Sequence, residues 1–255
     1  MANNNIFVFD VDGTLLKPSG NRIDDKGIEA IRKASKYGEV ILASARPKKG
    51  ITNLYSEAEV RASFIIALNG ALIANNENLI KAIPIQQQIV DYFLTISSAF
   101  QNIWFFTADN WFSNNLTTPE YSVEKNAVQF SAVSLDKYNR EPVLKITIVS
   151  DRNIDDFKTI FKEVEITTSN KNYFEIQSKM TNKYLACNYL YDYDFRIFAF
   201  GDSNNDYVLL KKAFFSCAVA NATPKVKSVS KFISEFQFGE GVLDSVNFVT
   251  NKFFN

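Results

Sequence analysis

Residues 6–16 read Ile6-Phe7-Val8-Phe9-Asp10-Val11-Asp12-Gly13-Thr14-Leu15-Leu16. The first four are apolar without alternation. A strand reads this way when helices cover both faces of its sheet, because neither side of the pleat meets water. The run then stops at two aspartates one residue apart. In an open α/β sheet the carboxyl ends of the strands form the ligand crevice, so Asp10 and Asp12 stand where chemistry is done. Two carboxylates at a strand end repel each other unless a cation or a proton relieves them. A hard divalent cation such as Mg²⁺ suits an all-oxygen pair. Gly13 permits a turn that a side chain would obstruct. The plainer reading, a capped turn with solvated aspartates, suits a bare Asp-x-Asp better than it suits this whole string.

Further runs of the same kind lie outward from it: Val40-Ile41-Leu42-Ala43, Phe64-Ile65-Ile66-Ala67-Leu68 and Ile197-Phe198-Ala199-Phe200. Helical patterns separate them. Residues 24–37 carry Ile28, Ile31 and Ala34 at helical spacing and stop at Gly38; residues 204–215 carry Tyr207, Leu210 and Phe214. Strand–helix–strand units predict an α/β fold with a Rossmann-like, doubly wound parallel sheet.

The middle of the chain reads differently. Residues 85–100 form an amphipathic helical pattern with Ile89, Phe93, Ile96 and Phe100 on one stripe. Strand-like stretches at 103–106, 144–149 and 173–176 and a helical one at 154–161 follow. Lys145, Thr147 and Val149 alternate with Leu144, Ile146 and Ile148, which predicts a sheet with one solvated face. The division expected is a discontinuous core of residues 1–80 and 181–255, with an inserted α+β cap over 81–180.

Composition narrows the chemistry. The 255 residues hold 28 Lys+Arg against 28 Asp+Glu, which removes the usual electrostatic case for nucleic acid or an anionic membrane as the partner. There is no histidine. Ser-His-Asp and Cys-His nucleophiles, histidine general bases and histidine-ligated zinc are therefore excluded within this chain. Cys187 and Cys217 make neither a disulfide framework nor a metal knuckle. With no secretory pattern at the N-terminus and no apolar stretch long enough to span a bilayer, the expected location is the cytoplasm.

Three more stretches carry candidate chemistry. Gly201-Asp202-Ser203-Asn204-Asn205-Asp206 follows an apolar strand and opens a helix, so Asp202 can complete a cation site and Asp206 lies about one helical turn on. Ser44-Ala45-Arg46 follows the second strand; a hydroxyl there can bond a phosphate oxygen, and Arg46 can pair with an anion. Lys183, in Met180-Thr181-Asn182-Lys183-Tyr184-Leu185-Ala186, can neutralise phosphate charge near a helix start.

These four pieces in this order resemble the haloacid dehalogenase superfamily of phosphohydrolases, and most closely its Cof-type branch, whose large cap is inserted between the second and third motifs. Asn69-Gly70-Ala71 and Val219-Ala220-Asn221-Ala222, followed by Lys225 and Lys227, support it. The resemblance implies that Asp10 is the nucleophile, forming an aspartyl-phosphate, and Asp12 the general acid and base. It implies Mg²⁺ held by Asp10, the backbone carbonyl of Asp12, and Asp202, with Asp206 in support. Ser44 and Arg46 would bind phosphate or substrate, Lys183 would stabilise the transferring group, and Asn205 would orient the lysine or the phosphate. Two positions depart from the family pattern: Ser44-Ala45-Arg46 stands for Thr-Gly-Arg, and Tyr184 replaces a glycine after the lysine, leaving Lys179 as a neighbouring alternative.

The expected activity is Mg²⁺-dependent hydrolysis of small phosphorylated metabolites, sugar phosphates first among them, by a monomer or homodimer. The alternatives are a phosphomutase with the same intermediate and a non-catalytic metabolite-binding protein. Trp104, Asp109, Trp111, Tyr121, Glu124 and Glu175 are the candidate cap contacts, although aromatic residues of an α+β module more often pack its core.

Overall fold

The computed structural model describes residues 4–18, 20–151, 154, 156–170, 172–191 and 195–254. The strands are β1 Asn5–Asp10, β2 Glu39–Ala43, β3 Phe64–Ala67, β4 Leu72–Ala74, β5 Leu79–Ala82, β6 Asn102–Phe106, β7 Trp111–Ser113, β8 Val133–Ser134, β9 Lys145–Val149, β10 Val164–Asn170, β11 Tyr173–Ser178, β12 Arg196–Gly201, β13 Phe215–Ala218 and β14 Phe232–Ile233. The helices are α1 Asp25–Ala34, α2 Lys48–Glu57, α3 Gln87–Thr95, α4 Pro119–Val128, α5 Asp156–Ile160, α6 Lys183–Leu190, α7 Tyr207–Lys212, α8 Pro224–Lys227 and α9 Phe238–Phe253.

The pleat explains why β1 carries no polar residue between Asn5 and Asp10. Phe7 and Phe9 point to one face and stack on Phe198 and Phe200 of β12, with ring centroids 5.0 and 4.6 Å apart. Phe254, just after α9, closes over Phe7 and Phe198. Ile6 points to the other face and shares a groove with Tyr184, Cys187 and Tyr191 of the α6 region. Each buried Phe contributes about 2–3 kcal/mol relative to exposure.

One eight-stranded sheet runs β14-β13-β12-β1-β2-β3-β4-β5. Its first six strands are parallel and the last two pair antiparallel. The chain winds outward from β1 through β2 and β3, then returns to the other side of β1 as β12. The strand order reverses between β1 and β12, and an open sheet binds its ligand outside such a reversal. The carboxyl ends meeting there are Asp10 and Gly201-Asp202.

A second, six-stranded sheet runs β10-β11-β9-β6-β7-β8, antiparallel except for β7 with β8. The fold is α/β with an inserted α+β module. Ile103, Phe105, Ile146 and Ile148 face α3 and pack on Ile89, Val90 and Phe93. Trp104 and Phe106 point the other way and join Trp111, Tyr121 and Val128 in the core shared with the first sheet. That face carries Lys145 and Thr147, which are only 3% and 4% exposed. The face expected to be solvated is polar but covered, because it lies over the ends of β2 and β3.

Two elements end earlier than the apolar spacing predicts. α1 stops at Ala34, four residues before Gly38, with basic residues Arg32 and Lys33 in its last turn. The pattern over 204–215 splits: Asn204–Asp206 is a 3₁₀ turn, α7 ends at Lys212, and Phe215 opens β13 opposite Phe198. Pairing to an existing strand outweighs the helical spacing of Phe214. The pattern over 154–161 becomes α5, and residue 155 lies outside the described residues. Among the described residues no helix is long and apolar enough to cross a membrane.

Candidate functional site

The loop after β1 is built around Gly13. Leu15 and Leu16 donate their N–H groups to the carbonyl of Val11 at 2.9 and 2.8 Å, and Gly13 donates to Leu16 O at 2.8 Å. This turn needs φ +85° at Gly13, and a Cβ there would fall 2.4 Å from Asp202 Oδ2. Only glycine meets both demands. The loop is tied to its neighbours by side chains: Thr14 Oγ1 donates to Asp202 Oδ1 at 2.9 Å, and Asn221 Nδ2 donates to Gly13 O at 2.7 Å.

Asp206 organises the second loop. Its Oδ2 accepts the backbone N–H groups of Asp202 and Ser203, both at 3.1 Å, as the return half of a capping box. Its Oδ1 accepts Lys183 Nζ at 2.6 Å, and Lys183 also donates to Asp10 Oδ1 at 2.5 Å. Lys183 and Asp206 are fully buried, and Asp10 is 2% exposed. Lys183 is the first residue of α6, whose N-cap Asn182 accepts the Leu185 N–H at 2.9 Å. The helix start therefore fixes the lysine beneath the strand ends.

Carboxylate oxygens of Asp10, Asp202 and Asp206 lie within 4.8 Å of one another. Three carboxylates face one ammonium. Burial and then Asp206 raise Asp10 well above the usual carboxylate range, against the pull of Lys183. Burial and Asp206 likewise push Asp202 up to about 6. Burial alone would lower Lys183, but Asp10 and Asp206 outweigh it and hold its ammonium above the ordinary lysine value. Asp10 Oδ2 is buried and, among the described residues, has no hydrogen-bond partner. An orphaned carboxylate oxygen among oxygen donors with surplus negative charge fits a hard divalent cation such as Mg²⁺.

Asp12 does not point into this cluster. Arg46 grips it with both ends of its guanidinium: Nη2 donates to Oδ1 at 2.6 Å and Nε to Oδ2 at 2.8 Å. Ser44 Oγ donates to Asp12 Oδ2 at 3.3 Å and accepts the Arg46 N–H at 3.1 Å. Arg46 Nη1 reaches the carbonyl of Ala127 at the end of α4. The Asp12 side chain is 47% exposed against 8% for Arg46. The Asp12 side chain is thus engaged with Arg46 and Ser44 and is not among the carboxylates gathered at the strand ends.

A third polar set joins the two sheets. Lys145 Nζ donates to Ala45 O at 3.0 Å and to Glu175 Oε1 at 3.4 Å. Asn69 Nδ2 donates to Glu175 Oε2 at 3.1 Å, and Gln177 Nε2 to Leu68 O at 2.6 Å. Asn205 Nδ2 donates to Asn69 Oδ1 at 3.1 Å while its Oδ1 accepts from Ser203 Oγ.

The model of the haloacid dehalogenase-like hydrolase family matches residues 7–246. The chain belongs to this family. A 5-amino-6-(5-phospho-D-ribitylamino)uracil phosphatase of Bacillus subtilis is 26% identical over 252 residues, covering 94% of each protein. A phosphoglycolate phosphatase of Methanosarcina acetivorans is 25% identical over 201 residues, 75% of this chain and 77% of that one. Among solved structures, a haloacid dehalogenase-like hydrolase from Bacteroides thetaiotaomicron superposes with a TM-score of 0.85 at 22% identity, over 96% of this chain and 99% of that one. A sugar phosphatase of HAD subclass IIB gives a TM-score of 0.78 at 20% identity, over 98% of each. At these identities the structures speak for the fold alone.

For this haloacid dehalogenase-like hydrolase, the residues singled out in the sequence fall into two clusters. Asp10, Asp202, Asp206 and Lys183 meet at the strand ends; Asp12, Ser44 and Arg46 form the second group beside them. Asn205 contacts Asn69 and Ser203, and the lysine is oriented by Asp206 instead. Lys179 is exposed, so the buried Lys183 is the cation of the cluster. Ala45 keeps the role of its backbone, offering its carbonyl to Lys145. Trp104 and Trp111 are fully buried packing residues, and Asp109 lines a separate outer groove with Lys48 and Lys49. Sequence reasoning assigned no role to Thr14, Asn69, Lys145 or Gln177. The only signal for Lys145 was a single cation in an apolar strand, which reads equally well as a solvated face.

Proposed function

We propose that this hydrolase is a Mg²⁺-dependent phosphatase that cleaves small phosphate monoesters, with sugar phosphates as the leading class, through a phosphorylated Asp10. The observation that carries this reading is the state of Asp10: Lys183 holds Oδ1, while Oδ2 is buried and, among the described residues, has no hydrogen-bond partner. A cation bound by Asp10, Asp202 and the Asp12 carbonyl, with Asp206 behind, would neutralise charge on the phosphoryl oxygens.

The chain's own residues then supply the steps. The Asp10 carboxylate attacks phosphorus; the ester P–O bond breaks, and the leaving alkoxide takes the proton of the Asp12 carboxyl. The Asp12 carboxylate next removes a proton from water, whose oxygen attacks phosphorus; the P–O bond to Asp10 breaks, which frees its carboxylate and releases inorganic phosphate. Lys183 and the Ser44 hydroxyl hold the phosphoryl group. Arg46, as placed, pairs with the Asp12 side chain through two of its nitrogens. The first step requires Arg46 to turn from Asp12 to the anionic substrate. Asn205 steadies the loop through Asn69.

Residues 81–180 form, in this reading, a cap over a core of residues 1–80 and 181–255, and its polar face excludes bulk water from the strand ends. The name of the Bacillus subtilis relative indicates a substrate with a phosphorylated ribityl group, which supports a sugar-phosphate class here. The free, buried Cys187 and Cys217 suit a reducing compartment, and the cytoplasm is the proposed location.

The test is phosphate release from a panel of phosphorylated metabolites with Mg²⁺, for the wild type and Asp10→Asn. Release by the wild type and none by the variant, with matching circular dichroism, is expected. Turnover in Asp10→Asn near the wild-type rate would refute the nucleophile assignment, and no release from any ester by the wild type would refute the function.

A further inference from the structure

The reversal from β3 to β4 is made by Leu68, Asn69 and Gly70, with φ of 49°, 53° and 103°. Nowhere else among the described residues do two non-glycine residues with positive φ stand side by side. Leucine is unfavourable in that region, and asparagine tolerates it. Such a backbone persists only where its surroundings over-determine it. Here three segments of the candidate site meet the turn. The N–H groups of Leu68 and Asn69 donate to the carbonyls of Arg46 and Ser44, both at 2.9 Å. Asn69 Oδ1 accepts from Asn205, in the loop that carries Asp202 and Asp206. Gly70 lies so close to Asn182, the N-cap of the lysine helix α6, that a Cβ would fall 2.5 Å from the Asn182 carbonyl oxygen.

The fourth neighbour belongs to the inserted module. Glu175 Oε2 and Gln177 Oε1, both on β11, accept from Asn69 Nδ2 at 3.1 and 3.2 Å, and Gln177 Nε2 donates to Leu68 O at 2.6 Å. The direction of each amide is fixed. A carboxylate paired with Lys145 and a backbone carbonyl only accept, so Glu175 sets the donating end of Asn69 and Leu68 O that of Gln177. Asn69 therefore presents its oxygen to Asn205, whose own oxygen accepts the Ser203 hydroxyl at 2.6 Å. Turning the Asn69 or Gln177 amide over would break bonds on both of its sides. β11 is also the last strand before Lys183, so its docking on the turn and the start of α6 are set together.

We propose that Asn69, Glu175 and Gln177 are positioning residues. Through the strained turn they hold the Ser44–Arg46 loop, the Asp202–Asp206 loop and the start of α6 in one arrangement, so that phosphoryl transfer reaches its full rate only while β11 is docked on the turn. They act through Asn205 and Lys183 and not by touching the substrate. The proposal rests on the phosphatase reading and deepens it, because it gives the inserted module a part in the rate of the chemistry.

The experiment measures kcat and KM of the full chain with Mg²⁺, on para-nitrophenyl phosphate and on the best ester of the panel above. Gln177→Met keeps the length of the side chain and removes both of its hydrogen bonds. Asn69→Gly removes the amide while leaving a residue that accepts the positive φ. Each should lower kcat at least about tenfold, with KM within about threefold of the wild type. In the double variant Gln177→Met/Asn205→Ala the loss should fall well short of the product of the two single losses, because both break one chain of bonds. Circular dichroism checks the fold, and if Gln177→Met is unfolded, Asn69→Gly takes its place in both comparisons. A kcat unchanged or raised in a folded variant, a loss confined to KM, or single losses that multiply in the double variant overturns the assignment while leaving the phosphatase reading intact. No phosphate release by the wild type from any ester overturns both.

Discussion

Replacing Lys183 with Met removes the one cation that, among the described residues, pairs with the carboxylate cluster, while keeping the length of the side chain. The ammonium is fully buried, and so are the carboxylates it bonds at 2.5 and 2.6 Å. Removing one partner of a buried ion pair costs about 3–5 kcal/mol, because the remaining charge stays desolvated. For a chain of this size the melting temperature should fall by roughly 6–20 °C, at about 2–4 °C per kcal/mol. The loss should depend on pH. Lys183 is held above its ordinary value, so its contribution is complete at neutral pH and below, and fades only as pH rises through the folded value. In the variant, Asp10 loses the group that pulls it down and binds a proton more tightly when folded than when unfolded. A carboxyl raised in the folded state stabilises at low pH, and that support is lost as pH rises through its folded value. Urea unfolding followed by circular dichroism, in chelator at pH 5 and pH 8, should show the larger deficit at pH 8. A deficit under about 1 kcal/mol at pH 8, or one equal at both pH values, would refute the view that Lys183 compensates a buried acidic cluster.

Three further outcomes follow from the same geometry. Asp202 is pushed up to about 6, so in metal-free protein its contribution to stability declines as pH rises from the unfolded carboxylate value towards and past 6, by up to about 3 kcal/mol. Added Mg²⁺ should therefore raise the melting temperature more at pH 7.5 than at pH 5, and equal shifts would count against a cation among these carboxylates. Gly13→Ala forces a Cβ to within 2.4 Å of Asp202 Oδ2 at φ +85°; phosphate release should fall at least about tenfold with the fold retained, and near-normal release would show that the loop can relax. Burial pushes the Cys187 thiol up to about 12, so it should resist a thiol-reactive disulfide reagent at pH 8 until the protein is unfolded, whereas rapid native labelling would contradict its burial.

Much of this was legible in the chain because the information is local. Each unalternating apolar run marks a strand buried on both faces, and the residues that end it mark the site. Asp10 and Asp202 could be paired from sequence because both sit at the ends of such runs. Lys183 was harder: a lysine ahead of a helix usually faces water, and the family order of motifs singled it out. The polar face of β9 was misread for a physical reason. Period-two alternation tells which residues share a face but not what covers that face. Lys145 and Thr147 are covered by the ends of strands far away in sequence.

By itself the sequence determined the α/β class, the acidic strand ends and, through the missing histidine, the exclusion of histidine chemistry within this chain. Tertiary structure alone decided that Asp206 aims the lysine, that Arg46 rather than the carboxylate cluster holds Asp12, and that Lys145 ties the second sheet to the loop after β2. Strand burial and loop conformation follow from neighbouring residues, whereas the partner of a charged side chain depends on which distant segments the folded sheets bring within hydrogen-bond reach.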